Sequence, residues 1–169
     1  MLQRNPGLLP RRERCAGHLK TRIQLPAPIP SLRGARNALC SRDGDGRVVP
    51  VKFTVSKRFT FEAAHSLPHL PEGHKCRNVH GHSYIVEVFV SGPLDARGFV
   101  VDYAEISAAL KPIIARLDHR NLNDVLPCFT TAENVGAWIL EEATRALPLT
   151  PPCHVDVYET AMACVRVER

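Results

Sequence analysis

Cys76-Arg77-Asn78-Val79-His80-Gly81-His82-Ser83-Tyr84-Ile85-Val86-Glu87-Val88-Phe89-Val90-Ser91 carries most of what this chain says about its fold. The β-branched and aromatic run Tyr84, Ile85, Val86, Val88, Phe89 and Val90 makes Ser83 to Ser91 a strand. Residues two apart leading into a strand point to one face, so His80 and His82 can grip a single ion. Gly81 between them removes a side chain where backbone or substrate must come close. Cys76, three residues upstream of that pair, adds a potential thiolate nucleophile, and the seven residues 76–82 together suggest an enzyme.

Working outward, a second strand-like run starts near Val51 and ends in Phe59-Thr60-Phe61-Glu62-Ala63-Ala64-His65. Its last residue supplies a third imidazole. Three neutral histidines with an open fourth position is the pattern of catalytic zinc, whereas structural zinc closes with four protein ligands. His-x-His alone is a weak metal signal, but five of the chain's eight histidines (His65, His69, His74, His80, His82) fall within this stretch. His69 and His74 lie in a loop punctuated by Pro68, Pro71 and Gly73, and read as supports or surface residues rather than ligands.

Beyond these strands the period changes. Ile106, Ala109, Leu110, Ile113, Ile114 and Leu117 recur at three-four spacing, so Asp102 to Leu117 is predicted to be a helix. Asp102 and Glu105 make a capping-box signature at its start, and Pro112 is expected to kink it. A second helix is predicted from Thr130 or Thr131, with Val135, Trp138, Ile139 and Leu147 inward, stopped by Pro148, Pro151 and Pro152. His154 to Thr160 and Cys164 to Glu168 alternate as two closing strands. The plan is α+β, an antiparallel four-stranded sheet with two helices on one face.

Charge divides the chain in two. Of a formal balance of +5, residues 1–52 carry 11 Lys and Arg against 3 Asp and Glu, leaving 11 against 14 in residues 53–169. The acidic body argues against nucleic-acid binding. Residues 1–52, with six prolines and no apolar periodicity, are expected to be a disordered basic extension, and 53–169 a catalytic domain. The extension reads as a transit segment, the product of a start assigned too far upstream, or a basic arm; no secretory h-region and no apolar stretch of membrane-spanning length is present. Six cysteines without regular spacing imply reduced thiols and a cytoplasmic location. Cys153 and Cys164 read as packing residues, while Cys76 stands between Lys75 and Arg77.

The motifs Phe61-Glu62-Ala63-Ala64-His65, Pro71-Glu72-Gly73-His74-Lys75-Cys76, His80-Gly81-His82, Val101-Asp102-Tyr103-Ala104-Glu105, Leu117-Asp118-His119-Arg120-Asn121-Leu122-Asn123-Asp124, Thr131-Ala132-Glu133 and Tyr158-Glu159-Thr160 together resemble the 6-pyruvoyltetrahydropterin synthase family. The resemblance runs from about Phe53 to Arg169, in family order. The three-residue spacer between Cys76 and His80 resembles the branch that makes 6-carboxytetrahydropterin; pyruvoyl-forming members have a longer one.

The resemblance implies a T-fold whose sheets join between subunits into a barrel, as a homo-oligomer (a hexamer) with active sites at subunit contacts. It implies Zn2+ on His65, His80 and His82, with Cys76 and the Asp118/His119 pair moving protons. It also implies that Glu159 holds the pterin, with Thr131 in a loop beside it. The activity implied is conversion of 7,8-dihydroneopterin triphosphate to 6-carboxy-5,6,7,8-tetrahydropterin with loss of acetaldehyde and triphosphate, a carbon–carbon lyase step towards 7-deazapurines such as queuosine. Its rivals are formation of 6-pyruvoyltetrahydropterin on the same scaffold and a non-enzymatic metal- or pterin-binding protein. A cupin, suggested by His80, His82 and Glu87, conflicts with the helical periodicity. The sequence departs from the family at Phe129-Thr130, where Asn-Pro is usual, at Ala132, where serine is common, and at Arg77-Asn78.

Overall fold

The computed structural model describes residues 40–42 and 44–169. The expectation of disorder over residues 1–39 lies outside them. Within the remainder of that extension, β1 (Cys40–Arg42) and β2 (Val48–Pro50) pair antiparallel, so the expectation does not hold for those residues.

The body is built on a long hairpin. β3 (Phe53–His65) and β4 (His80–Gly92), each 13 residues, pair antiparallel without a bulge from Phe53↔Gly92 to His65↔His80. Inward residues alternate with outward ones: Phe61, Ala63 and His65 on β3, and Tyr84, Val86, Val88 and Val90 on β4, are buried. This is the period-two burial expected of a sheet with one covered face. α1 (Tyr103–Leu117) lies over β3 and buries Ile106, Leu110, Ile113, Ile114 and Leu117. α3 (Ala132–Ala146) lies over β6 (His154–Thr160) and β7 (Ala163–Glu168) and buries Val135, Ile139, Leu140 and Ala143. Gly136 sets that distance. A Cβ there would stand 2.8 Å from Val167 Cγ2, closer than real contacts allow, and a tight 3.2 Å from Val157 Cγ2.

Two expectations are corrected. The sheet has five strands, ordered β5-β3-β4-β6-β7, because Arg120–Asn121 (β5) pairs parallel with Ala63 and Ala64. A single-turn helix, α2 (Leu122–Val125), follows it, anchored by fully buried Leu122. Both are too short to show a period. The start of α1 is not a reciprocal capping box: Asp102 accepts from Ala104 N–H at 2.7 Å, but Glu105 accepts from Arg97 at 3.1 Å. Among the described residues no helix is long and apolar enough to cross a membrane.

Candidate metal centre and active site

His65 closes β3 and His80 opens β4, directly opposite it in the ladder; His82, two residues on, shares their face. One ligand atom from each lies within 4.8 Å of the others, the only such cluster among the described residues. His69 stacks on Phe129 at 3.8 Å, and His74 caps a short 3-10 turn (Lys75–Arg77) by accepting from Cys76 N–H. Neither belongs to the triad.

The backbone decides which nitrogen each histidine offers. His65 Nδ1 is 2.7 Å from Thr130 O and His80 Nδ1 is 2.8 Å from Asn78 O. A carbonyl only accepts, so each Nδ1 carries the proton and each Nε2 presents a bare lone pair when the ring is neutral. Those two Nε2 atoms stand 3.1 Å apart. Glu159 Oε1 adds a third acceptor, 3.2 Å from His65 Nε2 and 3.4 Å from His82 Nε2. His82 Nε2 is buried with no hydrogen bond, and its pKa is lowered, first by burial and further by the two neighbouring imidazoles, against the opposing pull of Glu159. Three converging acceptors, the Nε2 atoms of His65 and His80 and the Glu159 carboxylate, repel one another unless a cation sits among them. The donor set therefore fits a zinc-type ion, nitrogen-rich with one carboxylate at hand.

Two cavities of about 300 and 360 Å³ adjoin this cluster. The larger is lined by Lys75, Cys76, His80, His82, Glu159 and Thr160. The smaller brings Cys76 and Glu159 together with Leu67, Thr131 and Glu133. Cys76 is held by its loop: its carbonyl accepts from Leu67 N–H at 2.7 Å, and Arg77 clamps the same loop by donating to Pro68 O and Leu70 O. The Arg77 guanidinium thus engages loop carbonyls.

Asp118 and His119 are elsewhere. They fasten to the backbone of Glu62 on β3: Asp118 Oδ1 accepts from Glu62 N–H at 3.0 Å, and His119 N–H donates to Glu62 O at 2.6 Å. His119 adopts φ 54°, a left-handed backbone unusual for a residue with a Cβ, and its side chain is 79% exposed. The Asp118–His119 side-chain separation of 3.9 Å is too long for a hydrogen bond. His119 borders a shallow cavity of about 540 Å³ with Glu62, Gly81, His82, Ser83 and Arg120; Cys76 has no part in it, though His82 lines the Cys76 cavity too.

Residues 54–169 match the sequence profile of a family described as 6-pyruvoyl tetrahydropterin synthase. The chain belongs to the 6-pyruvoyl tetrahydropterin synthase family. It is 41% identical to the 6-carboxy-5,6,7,8-tetrahydropterin synthase of Synechocystis over 120 residues, covering 66% of this chain and 90% of that one. It is 35% identical to the human 6-pyruvoyl tetrahydrobiopterin synthase over 136 residues, covering 71% and 92%. The structure of Caenorhabditis elegans 6-pyruvoyl tetrahydropterin synthase aligns with a TM-score of 0.62 at 25% identity, across 70% of this chain and 96% of that one. The T-fold architecture expected from the motifs is therefore present.

In this member of the 6-pyruvoyl tetrahydropterin synthase family, the Phe129-Thr130 departure still supports the histidine cluster, because Thr130 contacts His65 through its main-chain carbonyl. Sequence reasoning missed that contact, and it missed Tyr84. The Tyr84 ring is fully buried, stacked on Phe61 at 4.8 Å and edge-on to His82 at 5.6 Å, and its hydroxyl has no partner among the described residues. Burial raises its pKa, reinforced by the Glu159 carboxylate. The signal available was its position, two residues past His82.

Proposed function

We propose that this enzyme is a zinc-dependent 6-carboxytetrahydropterin synthase, converting 7,8-dihydroneopterin triphosphate to 6-carboxy-5,6,7,8-tetrahydropterin with release of acetaldehyde and triphosphate. The observation that carries the reading is the pair of bare Nε2 lone pairs on His65 and His80, 3.1 Å apart beside Glu159 and Cys76. The 41% identity to a 6-carboxy enzyme and the short spacer from Cys76 to His80 favour the carboxy product.

His65, His80 and His82 would hold the ion. Zinc bound there supplies Lewis acidity, which makes the protons of substrate side-chain hydroxyls easier to remove. Cys76 Sγ borders the same cavity and takes or returns a proton at a side-chain carbon. Glu159, on the rim shared by both small cavities, accepts hydrogen bonds from the amino group and ring N–H of the pterin, with Thr131 beside it. Holding the ring there fixes which face of the side chain meets the thiol.

Cys76 and His119 line different cavities that share only His82, and we infer that the proton-transfer set is completed between chains: His119 of one copy serves Cys76 of another in a homo-oligomer. An exposed imidazole on a residue whose own backbone N–H is tied to Glu62 O suits that use. Incubating the purified protein with zinc and 7,8-dihydroneopterin triphosphate, and identifying products by mass, tests the reading. The 6-carboxy product with acetaldehyde is expected; a 6-pyruvoyl product, or none, overturns it.

A further inference from the structure

The segment following His65 is held by a second set of contacts that none of the roles above uses. Asn123 lies on α2, 57 residues along the chain from Ser66. Its side-chain amide treats Ser66 as a strand treats its neighbour: Oδ1 accepts from Ser66 N–H at 2.7 Å and Nδ2 donates to Ser66 O at 2.9 Å. Thr130 Oγ1 donates to that same carbonyl at 3.3 Å, while Thr130 O takes the Nδ1 proton of His65. Asn123 is itself seated, its own N–H donating to Asn121 Oδ1 at 3.2 Å and its neighbour Leu122 fully buried. His65, 1% exposed, is therefore gripped through its ring by Thr130 and through the next peptide by Asn123 and Thr130 together.

We propose that Asn123 is a positioning residue for the metal centre, acting on His65 through the Ser66 backbone. The β3–β5 pairing ends at Ala64↔Asn121. Beyond it the Asn123 amide continues the sheet's hydrogen bonding for one more residue, which keeps the end of β3 from fraying where a ligand must be held. Only a group with a donor and an acceptor side by side can do this, so asparagine is required and aspartate, of the same shape, is not equivalent. An aspartate would turn an acceptor towards Ser66 O. This inference rests on the reading of His65, His80 and His82 as a cation site.

The test uses the full-length protein and its Asn123→Asp, Asn123→Ala and Thr130→Val variants, titrated with Zn2+ against a competing chelator and with Co2+ followed by its visible absorption bands. Loss of an outer contact to a metal ligand typically weakens affinity about 10–100-fold. That range is expected for Asn123→Asp, with Asn123→Ala milder and Thr130→Val mildest, and with Co2+ bands displaced in the same order. A core variant such as Val90→Ala, destabilised to a similar melting temperature, should keep wild-type affinity and bands; if it weakens metal as much, the effect is general stability and the proposal fails. Should Asn123→Asp not fold, the Asn123→Ala and Thr130→Val titrations decide. Wild-type affinity and bands in the Asn123 variants overturn the positioning role alone, whereas a wild-type protein that binds neither ion overturns the cation site as well.

Discussion

The two histidine regions beside the β3–β4 hairpin differ in how many of their ring nitrogens are held. On the helix-covered face His65, His80 and His82 converge with Glu159, and two of the three rings have their remaining nitrogen held by a carbonyl. Beside β5, His119 borders an open cavity with no side-chain hydrogen bond to the aspartate next to it. The first has the burial and satisfied outer contacts of a preorganised ligand set. The second is an exposed imidazole fixed at its backbone and left free at its ring, which the proposed function assigns to a neighbouring chain's site.

The strongest way to break this contrast is to remove a ligand. His80→Ala should lose most of its zinc, since a three-histidine site has no spare donor, and metal analysis of the purified variant checks it. His69→Ala and His74→Ala should retain the ion. Full zinc in His80→Ala would mean that the buried face is not a metal centre.

Next in size is chemistry without binding. Cys76→Ala should keep the ion while turnover falls at least ~100-fold, the scale of lost acid–base assistance. Co-expressing Cys76→Ala with His119→Ala sharpens the contrast, because mixed oligomers should regain part of the activity that either variant lacks alone. No recovery would place both groups in service of one chain's own site.

A smaller effect separates helix packing from chemistry. Gly136→Ala should destabilise the fold by about 1–3 kcal/mol through contact with Val157 and Val167, partly offset by about 1 kcal/mol of better helix propensity. Thermal unfolding measures it. A neutral result would mean that α3 can lift from the sheet without loss.

The smallest concerns the outer face. Asp156 is buried, and its carboxyl is held below the usual range chiefly by hydrogen bonds from Arg166 at 2.7 and 2.8 Å. A depressed folded-state pKa contributes stability above the unfolded value of 3.8, and that contribution is lost as pH falls through the folded value. Asp156→Asn should melt lower than wild type at neutral pH, with the gap closing in acid, and should leave zinc content unchanged. A gap that persists at low pH would point to packing rather than charge.

The elements with a long period were legible in the sequence. β3, β4, α1 and α3 follow from alternation and three-four spacing, and the histidine face follows from the period of a strand. β5 and α2 were not legible, because two and four residues cannot display a period. The ligands of the candidate site were legible because they are side chains; the Thr130 and Asn78 carbonyls that orient them were not, since every residue has a carbonyl and the sequence does not say where it points. The separation of Cys76 from His119 depended on where the Glu62 backbone receives the chain leaving α1, a property of the assembled sheet. Asn123 stood in a recognised motif, but its use could be read only once Ser66 lay beside it.

The unbroken register of β3 against β4 also bears on how the chain reaches its native state. A slip of one residue in β4 would turn His80 and His82 to the outer face and bring Gly81 and Ser83 inward, because neighbouring side chains alternate. Such a misfolded hairpin would still pair its backbone, but it could not gather three imidazoles. An ion that binds only the correct alignment lowers the free energy of that alignment alone. The metal would then act during maturation as a proofreader of strand alignment, before any substrate arrives.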